Sequence, residues 1–313
     1  MSNALDLIYH EAVTSVPFLQ TWPGYFLAKK TETEIALKYF NHDSIKKAIG
    51  LEIGCGNAFQ SALIADFADK LVATDLFTED DSTHTVGMKK AKKLIEALNK
   101  KNIMLVSCSS LALPFSDNYF DFVFSSSALE HMDDKDLALK EIKRVLKPGG
   151  HSIIIVPTHM PSLYAFVHVY LYCIARILQL LFKSGSKMEG SKQQNKDRLS
   201  SILGRFSKNQ PSFPMPEPHG TYRNIFHELF SQLPFNWKRK FKRNGFVIKD
   251  SFGICLFPWL LIEPFSTMIA ARIYSSTKDI NKKLSFFKPL KYISYLIGIV
   301  AVKKIEASVA NGV

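Results

Sequence analysis

Ile49-Gly50-Leu51-Glu52-Ile53-Gly54-Cys55-Gly56 is a short apolar run that closes on two glycines, and Asn57-Ala58-Phe59-Gln60 leads from it into a helix-like stretch. Glycines belong at such a turn because a Cβ would hold a ligand off the backbone and because tight turns commonly call for positive φ. A GxG turn is also an ordinary structural turn. A dinucleotide-binding loop would continue to a third glycine, which Asn57, Ala58 and Phe59 do not supply. Asp75 closes the next apolar run, 19 residues past Gly56, where a carboxylate can accept hydrogen bonds from ribose hydroxyls. In an open parallel sheet both features reach the same crevice.

Working outward, apolar runs alternate with helix-like stretches. The predicted strands are IGLEIG (49–54), KLVATD (70–75), IMLVS (103–107), FDFVFSS (120–126) and HSIIIVP (151–157). Between them lie SALIADFA, GMKKAKKLIEALNKK and DKDLALKEIKRVL. That order predicts a parallel sheet wrapped by helices, and unbroken Ile/Val/Leu runs suit strands buried on both faces. Within it stand Leu113-Pro114-Phe115, Asn118-Tyr119-Phe120-Asp121-Phe122-Val123-Phe124, Ser126-Ser127-Ala128-Leu129-Glu130-His131-Met132 and Glu141-Ile142-Lys143-Arg144-Val145-Leu146-Lys147-Pro148-Gly149-Gly150.

This ordered series, over about residues 45–157, resembles the class I S-adenosylmethionine-dependent methyltransferases, in particular the methyltransferase type 11 group that includes the ubiquinone and menaquinone C-methyltransferases. The resemblance implies an α/β fold, a Rossmann-like sandwich around a mostly parallel seven-stranded sheet, with S-adenosyl-L-methionine as cofactor. It implies that Glu52, Gly54, Cys55 and Gly56 approach the methionine part, that Asp75 holds the ribose, and that Leu76 lies beside the adenine. Ser109, with Ser110 after it, stands where the group often has an Asp that contacts the adenine amino group. A serine hydroxyl accepts that bond without charge assistance. Ser126 and Ser127 would border the transferred methyl, and Asp121 reads as structural.

Methyl transfer from a sulfonium asks the protein mainly to align a nucleophile and manage one proton. The candidates for that proton are His131, in LEHM, His159, after the fifth strand, and His219 with Tyr222 in Glu217-Pro218-His219-Gly220-Thr221-Tyr222. Histidine titrates near neutrality, as such a base should. Each has a plainer reading too, His131 as packing at a helix start and His219 as a cap on TYRNIFHELF. The sequence offers no metal-ligand spacing, and no metal is expected.

Composition separates the two halves of the 313-residue chain. Residues 1–156 carry 17 Lys and Arg against 20 Asp and Glu, whereas 157–313 carry 23 against 8. The basic half also holds the long apolar runs, a pairing that points to an anionic membrane surface or to nucleic acid. As a helix, 162–182 (SLYAFVHVYLYCIARILQLLF) puts His168, Tyr172, Arg176 and Gln179 on one strip, which favours lying in the interface over crossing it. The runs 258–274 and 289–302 read as interfacial wedges, with Trp237 and Trp259 in a headgroup-level belt. Lys238, Arg239, Lys240, Lys242, Arg243, Lys282, Lys283, Lys288 and Lys291 would attract anionic lipid. Four scattered cysteines without a CxxC pair argue against a disulfide scaffold. The first residues lack the pattern of a signal peptide, so the expected location is cytoplasmic, on the inner face of a membrane.

The expected organisation is a helical lead-in over 1–48, a cofactor-binding core over 49–157, and an apolar helix with a lid-like insertion over 158–235. A helix and strands over 236–257 return to the sheet, and apolar, basic, membrane-associating helices fill 258–313. The expected function is methyl transfer to an amphipathic small molecule (a lipid, a polyprenyl or quinone-type compound, or a lipid-linked glycan), on oxygen in preference to carbon. An RNA methyltransferase using the basic half and a non-catalytic cofactor-binding membrane scaffold are the alternatives. Nucleic acid is the weaker partner because long Leu/Ile-rich segments suit a polyanion poorly, and the sequence leaves the oligomeric state open.

Overall fold

The computed structural model describes residues 2–20, 23–40, 47–76, 87–167, 216–254 and 289–304, together with 169, 170, 174, 276, 279, 280, 282–285 and 287. Two helices, α1 (Ser2–Ser15) and α2 (Pro23–Leu37), precede β1 (Ile49–Ile53). Then follow α3 (Phe59–Ala65), β2 (Lys70–Asp75), α4 (Met88–Ala97), β3 (Ile103–Ser107), β4 (Phe120–Ser126), α5 (Lys135–Val145) and β5 (Leu146–Pro157). After the insertion come α6 (Ile225–Ser231), α7 (Pro234–Arg243), β6 (Phe246–Ile254) and β7 (Leu296–Lys303). The seven strands form one sheet in the order β3-β2-β1-β4-β5-β7-β6. β1 to β5 run parallel, and β7 lies antiparallel between β5 and β6.

The chain reverses its sheet order between β1 and β4, so β2 and β3 lie on one side of β1 and β4 on the other. Such a switch point opens a crevice at the carboxyl ends of the strands. Each side of the sheet buries its own core. Phe122, Phe124, Ile153 and Ile155 face α1, α2 and α3, where Leu5, Phe26, Ile35 and Leu63 are buried. Their neighbours Val123, Ile154 and Val156 face the opposite side, with Leu139, Ile142, Trp237 and Phe241 of α5 and α7. That one-in, one-out alternation is the pleat of a strand covered on both faces. Gly50 and Gly298 make room for it, since a Cβ at either would fall 2.1–2.2 Å from the ring of Phe122 or Phe252.

The quoted motifs outside the crevice are explained by packing. Arg144 of α5 donates to the carbonyls of Leu113 (2.8 Å) and Phe115 (2.7 Å) and is paired with Glu141, so the LPF segment is fastened to that helix. Asp121 accepts from the Ile49 N–H at 2.8 Å and from Lys147 at 2.6 Å, the structural role expected of it.

Two expectations are corrected. Residues 289–302 do not make an interfacial wedge, because Leu296–Lys303 is the strand β7, with Ile297, Ile299 and Ala301 fully buried. Trp237 is not in a headgroup belt. It is buried, and its Nε1 donates to the Pro157 carbonyl at 3.0 Å. α2 runs through Thr31 and Thr33, whose hydroxyls donate to the carbonyls four residues earlier. Residues 184–215 and 258–274, with Trp259, lie outside the described residues, as do His168, Tyr172, Arg176 and Gln179 of the polar strip. Among the described residues no helix is long and apolar enough to cross a membrane.

Candidate active site

β1 ends at Ile53, and the chain then turns through Gly54 (φ +72°) and Gly56 (φ +56°) into α3. A Cβ on Gly54 would sit 2.3 Å from the Cβ of Ala128, so this glycine is required both by its backbone and by a close approach. The turn is fixed by the Gly54 and Cys55 N–H groups, which donate to the Thr74 carbonyl at 2.8 and 3.0 Å. Asp75, at the end of β2, accepts from Gly56 N–H at 2.6 Å and from Leu76 N–H at 2.7 Å. Burial pushes the Asp75 carboxyl upward and these two N–H donors pull it back. A carboxylate has more lone pairs than those two bonds use, so it retains capacity for ribose hydroxyls.

These residues line a cavity of about 640 Å³, within the ~300–1,000 Å³ of cofactor-sized sites. Of the residues expected at the cofactor, Gly54, Cys55, Gly56, Asp75, Leu76, Ser109, Ser110, Ser126 and Ser127 all line it. Glu52 does not. It is buried behind the turn, hydrogen-bonded by Ser61, with its carboxyl pushed up to about 7 by burial. Cys55 is likewise a thiol held neutral by burial, and Ser109 accepts from the Leu111 N–H at 3.2 Å.

α2 supplies a wall that the sequence does not reveal. Tyr25, Phe26 and Lys29 line the cavity. The buried Lys29 ammonium donates to Glu32 (2.9 Å), Ser126 Oγ (3.1 Å) and Ser127 Oγ (3.0 Å), and Ser126 donates to Glu32 at 2.8 Å. Burial alone would lower the Lys29 pKa, but the Glu32 carboxylate outweighs it and the net shift is upward. Ser127 sits at φ +54°, an uncommon conformation for a residue with a Cβ. The only local sign of this wall is the charged run Lys29-Lys30-Thr31-Glu32 inside an otherwise apolar helix, and such runs are ordinarily solvated.

Across the cavity stand His131, Met132 and Asp133. His131 closes a 3-10 turn, Leu129–His131, after β4. His219 comes from the insertion, and its ring meets that of His131 edge-on, centroids 4.7 Å apart. Burial pushes His131 down to about 4, with His219 and Lys135 adding to the shift, and burial lowers His219 as well, so both imidazoles are neutral at pH 7. His159, His219 and Tyr222 do not line the cavity. Tyr222 packs against Lys135 and His227, and burial raises its phenol. Ligating atoms of Glu130, His131 and His219 lie within 4.8 Å of one another, a grouping that spacing along the sequence does not announce.

The switch-point crevice carries a glycine turn on one side and the Asp75 carboxylate on the other, and the cradle around Gly54, Gly56 and Asp75 fits S-adenosylmethionine. Residues 51–154 match the family model of a methyltransferase domain. The demethylmenaquinone methyltransferase of Bacillus cereus is 31% identical over 140 residues, which is 44% of this chain and 56% of that protein. The chain thus spans just over half the length of the curated relatives it matches. Among solved structures, an S-adenosylmethionine-dependent methyltransferase from Aquifex aeolicus is 14% identical, with 86% of this chain and 88% of that one covered and a TM-score of 0.45.

Proposed function

We propose that the protein transfers a methyl group from S-adenosylmethionine to a hydroxyl of an amphipathic small molecule, of the lipid, quinone or lipid-linked glycan kind, while resting on the cytoplasmic face of a membrane. The observation that carries this reading is the single cavity that joins the Gly54–Gly56 turn and Asp75 to the His131 wall. S-adenosylmethionine supplies an activated methyl when bound. The chain's part is to hold the cofactor with Gly54, Gly56, Asp75, Leu76 and Ser109, and to keep Ser126 and Ser127 fixed through Lys29. The acceptor enters against His131 and Met132, and neutral His131, with His219 behind it, receives the hydroxyl proton. Positioning of this kind supplies much of the rate in a transfer whose methyl is already activated.

The amphipathic acceptor is supported by the demethylmenaquinone methyltransferases among the relatives. Membrane docking is supported by the exposed apolar side chains Leu163, Val167, Phe226 and Phe230. Several of the basic residues read as lipid-directed already have partners within the fold. Lys240 and Arg243 pair with Asp136, Lys291 donates to the Ser251 carbonyl, and Lys282 pairs with Glu34. Docking therefore rests on the apolar residues with Arg239 and Lys242, more than on total charge.

The test is to incubate the purified chain with methyl-labelled S-adenosylmethionine and a lysate rich in membranes, and to separate organic-extractable, aqueous and RNA fractions. Label in the organic phase, absent with Asp75→Ala, is the expected result. Label confined to RNA or to water-soluble products would overturn the amphipathic acceptor.

A further inference from the structure

We propose that Glu130, His131 and His219 form a binding site for one divalent transition-metal ion of the zinc type at the wall of the cavity. Its use in catalysis rests on the methyl-transfer reading above, but the binding does not.

Two imidazoles and a carboxylate, each offering one ligand atom, lie within 4.8 Å of one another. This donor set suits zinc and its neighbours, and three protein ligands are the number that leaves a coordination position open. The carboxyl of Glu130 is buried, and its Oε2 has no hydrogen-bond donor. A buried acceptor left without a donor is destabilising, and a cation shared with the two histidines would satisfy it.

The three ligands are also held together by the backbone. Thr221 N–H and Oγ1 both donate to the Glu130 carbonyl, at 3.2 and 3.3 Å, and Thr221 Oγ1 reaches the Met132 carbonyl at 2.8 Å. Gly220, at φ +98°, allows this approach, since a Cβ there would lie 2.7 Å from the Glu130 carbonyl oxygen. The His219 N–H donates to Glu228 of α6 at 2.9 Å. The insertion is thus fastened on both sides of His219, against the turn that carries the other two ligands.

Beside the buried Lys29, whose charge also acts on Glu130, Lys135 is an opposing charge. Its ammonium donates to the Met132 carbonyl and to Thr221 Oγ1, and it disfavours a second cation nearby. That handicap, with two nitrogen donors, selects a tightly bound late transition ion over magnesium, which prefers oxygen ligands. Because His131 lines the cavity, the ion would sit where an acceptor oxygen arrives. As a Lewis acid it would bind that oxygen and favour its ionised form; with His131 engaged as a ligand, the hydroxyl proton would leave to water in place of His131.

The full chain, stripped with a chelator, is titrated with ZnCl2 by calorimetry and, separately, with S-adenosylmethionine. The expected result is one saturable equivalent of zinc, weakened at least ~10-fold in both His131→Ala and His219→Ala and unchanged in His227→Ala, a neighbouring surface histidine. Zinc should raise the melting temperature of the wild type and not that of His219→Ala, which separates lost binding from lost folding. Absence of saturable zinc binding, or wild-type affinity in either ligand variant, overturns the site. Absence of S-adenosylmethionine binding overturns the methyl-transfer reading instead, whatever zinc does.

Discussion

The two walls of the cavity are built by different rules. The cofactor wall comes from the ends of neighbouring parallel strands and from α2, and its polar groups are paired: Asp75 by two N–H donors, Lys29 by Glu32 and two serines, Glu52 by Ser61. The acceptor wall joins a turn after β4 to an insertion some ninety residues later, through Thr221 and Glu130. It retains an unpaired buried carboxylate oxygen and two neutral imidazoles. One wall has its charged groups paired within the chain, and the other keeps groups with bonding capacity to spare. Loops set on a rigid scaffold commonly carry such groups.

The comparison can be broken most forcefully at Lys29. Lys29→Met strands the buried Glu32 carboxylate, and chemical denaturation should show a loss of about 3–5 kcal/mol. A loss below 1 kcal/mol would mean that the cofactor wall is not fixed by this pair. Glu52 sharpens the same point through pH. Its folded pKa, about 7, lies above the unfolded value, so its stabilising influence is complete below the unfolded pKa and is lost as pH rises through about 7. Wild-type stability should therefore fall between pH 5 and 8 by an amount on the order of 3 kcal/mol, and Glu52→Gln should flatten that slope. Gly54→Ala combines a left-handed backbone with a clash against Ala128, and should cost about 2 kcal/mol of stability together with cofactor affinity. On the other side, Phe226→Ser with Phe230→Ser should change stability by only about ±0.5 kcal/mol each, yet reduce sedimentation with anionic vesicles. Unchanged sedimentation would remove these rings from the docking surface.

Much of this was legible along the chain. Strands β1 to β5 declared themselves as apolar runs between helical periods, and the glycine turn and Asp75 are local features at strand ends. Three things were not legible, each for a physical reason. The run at 296–303 is short and continuously apolar, and such a run reads alike as a buried strand or as an interfacial segment until its pairing partners are known. Lys29 gains its place in the site through contacts 97 residues away with Ser126, which no periodicity encodes. Glu130 and His219 become neighbours only because Gly220 lets one loop lie against another, so ligand spacing along the sequence could not disclose them. Ordinary charge runs misled in the opposite direction: Asp136 engages Lys240, Arg243 and Asn244 and draws part of the basic helix into the fold.

The most direct test of the central claim, that the crevice at the carboxyl ends of β1, β2 and β4 holds S-adenosylmethionine while the His131 side serves the acceptor, is a calorimetric titration of S-adenosylmethionine into wild type, Asp75→Ala and His219→Ala. The account predicts one equivalent bound by the wild type, affinity weaker by roughly 10- to 100-fold in Asp75→Ala, as expected for charged hydrogen bonds of about 1.5–3 kcal/mol, and unchanged affinity in His219→Ala. Equal binding by wild type and Asp75→Ala, or a loss confined to His219→Ala, would contradict it.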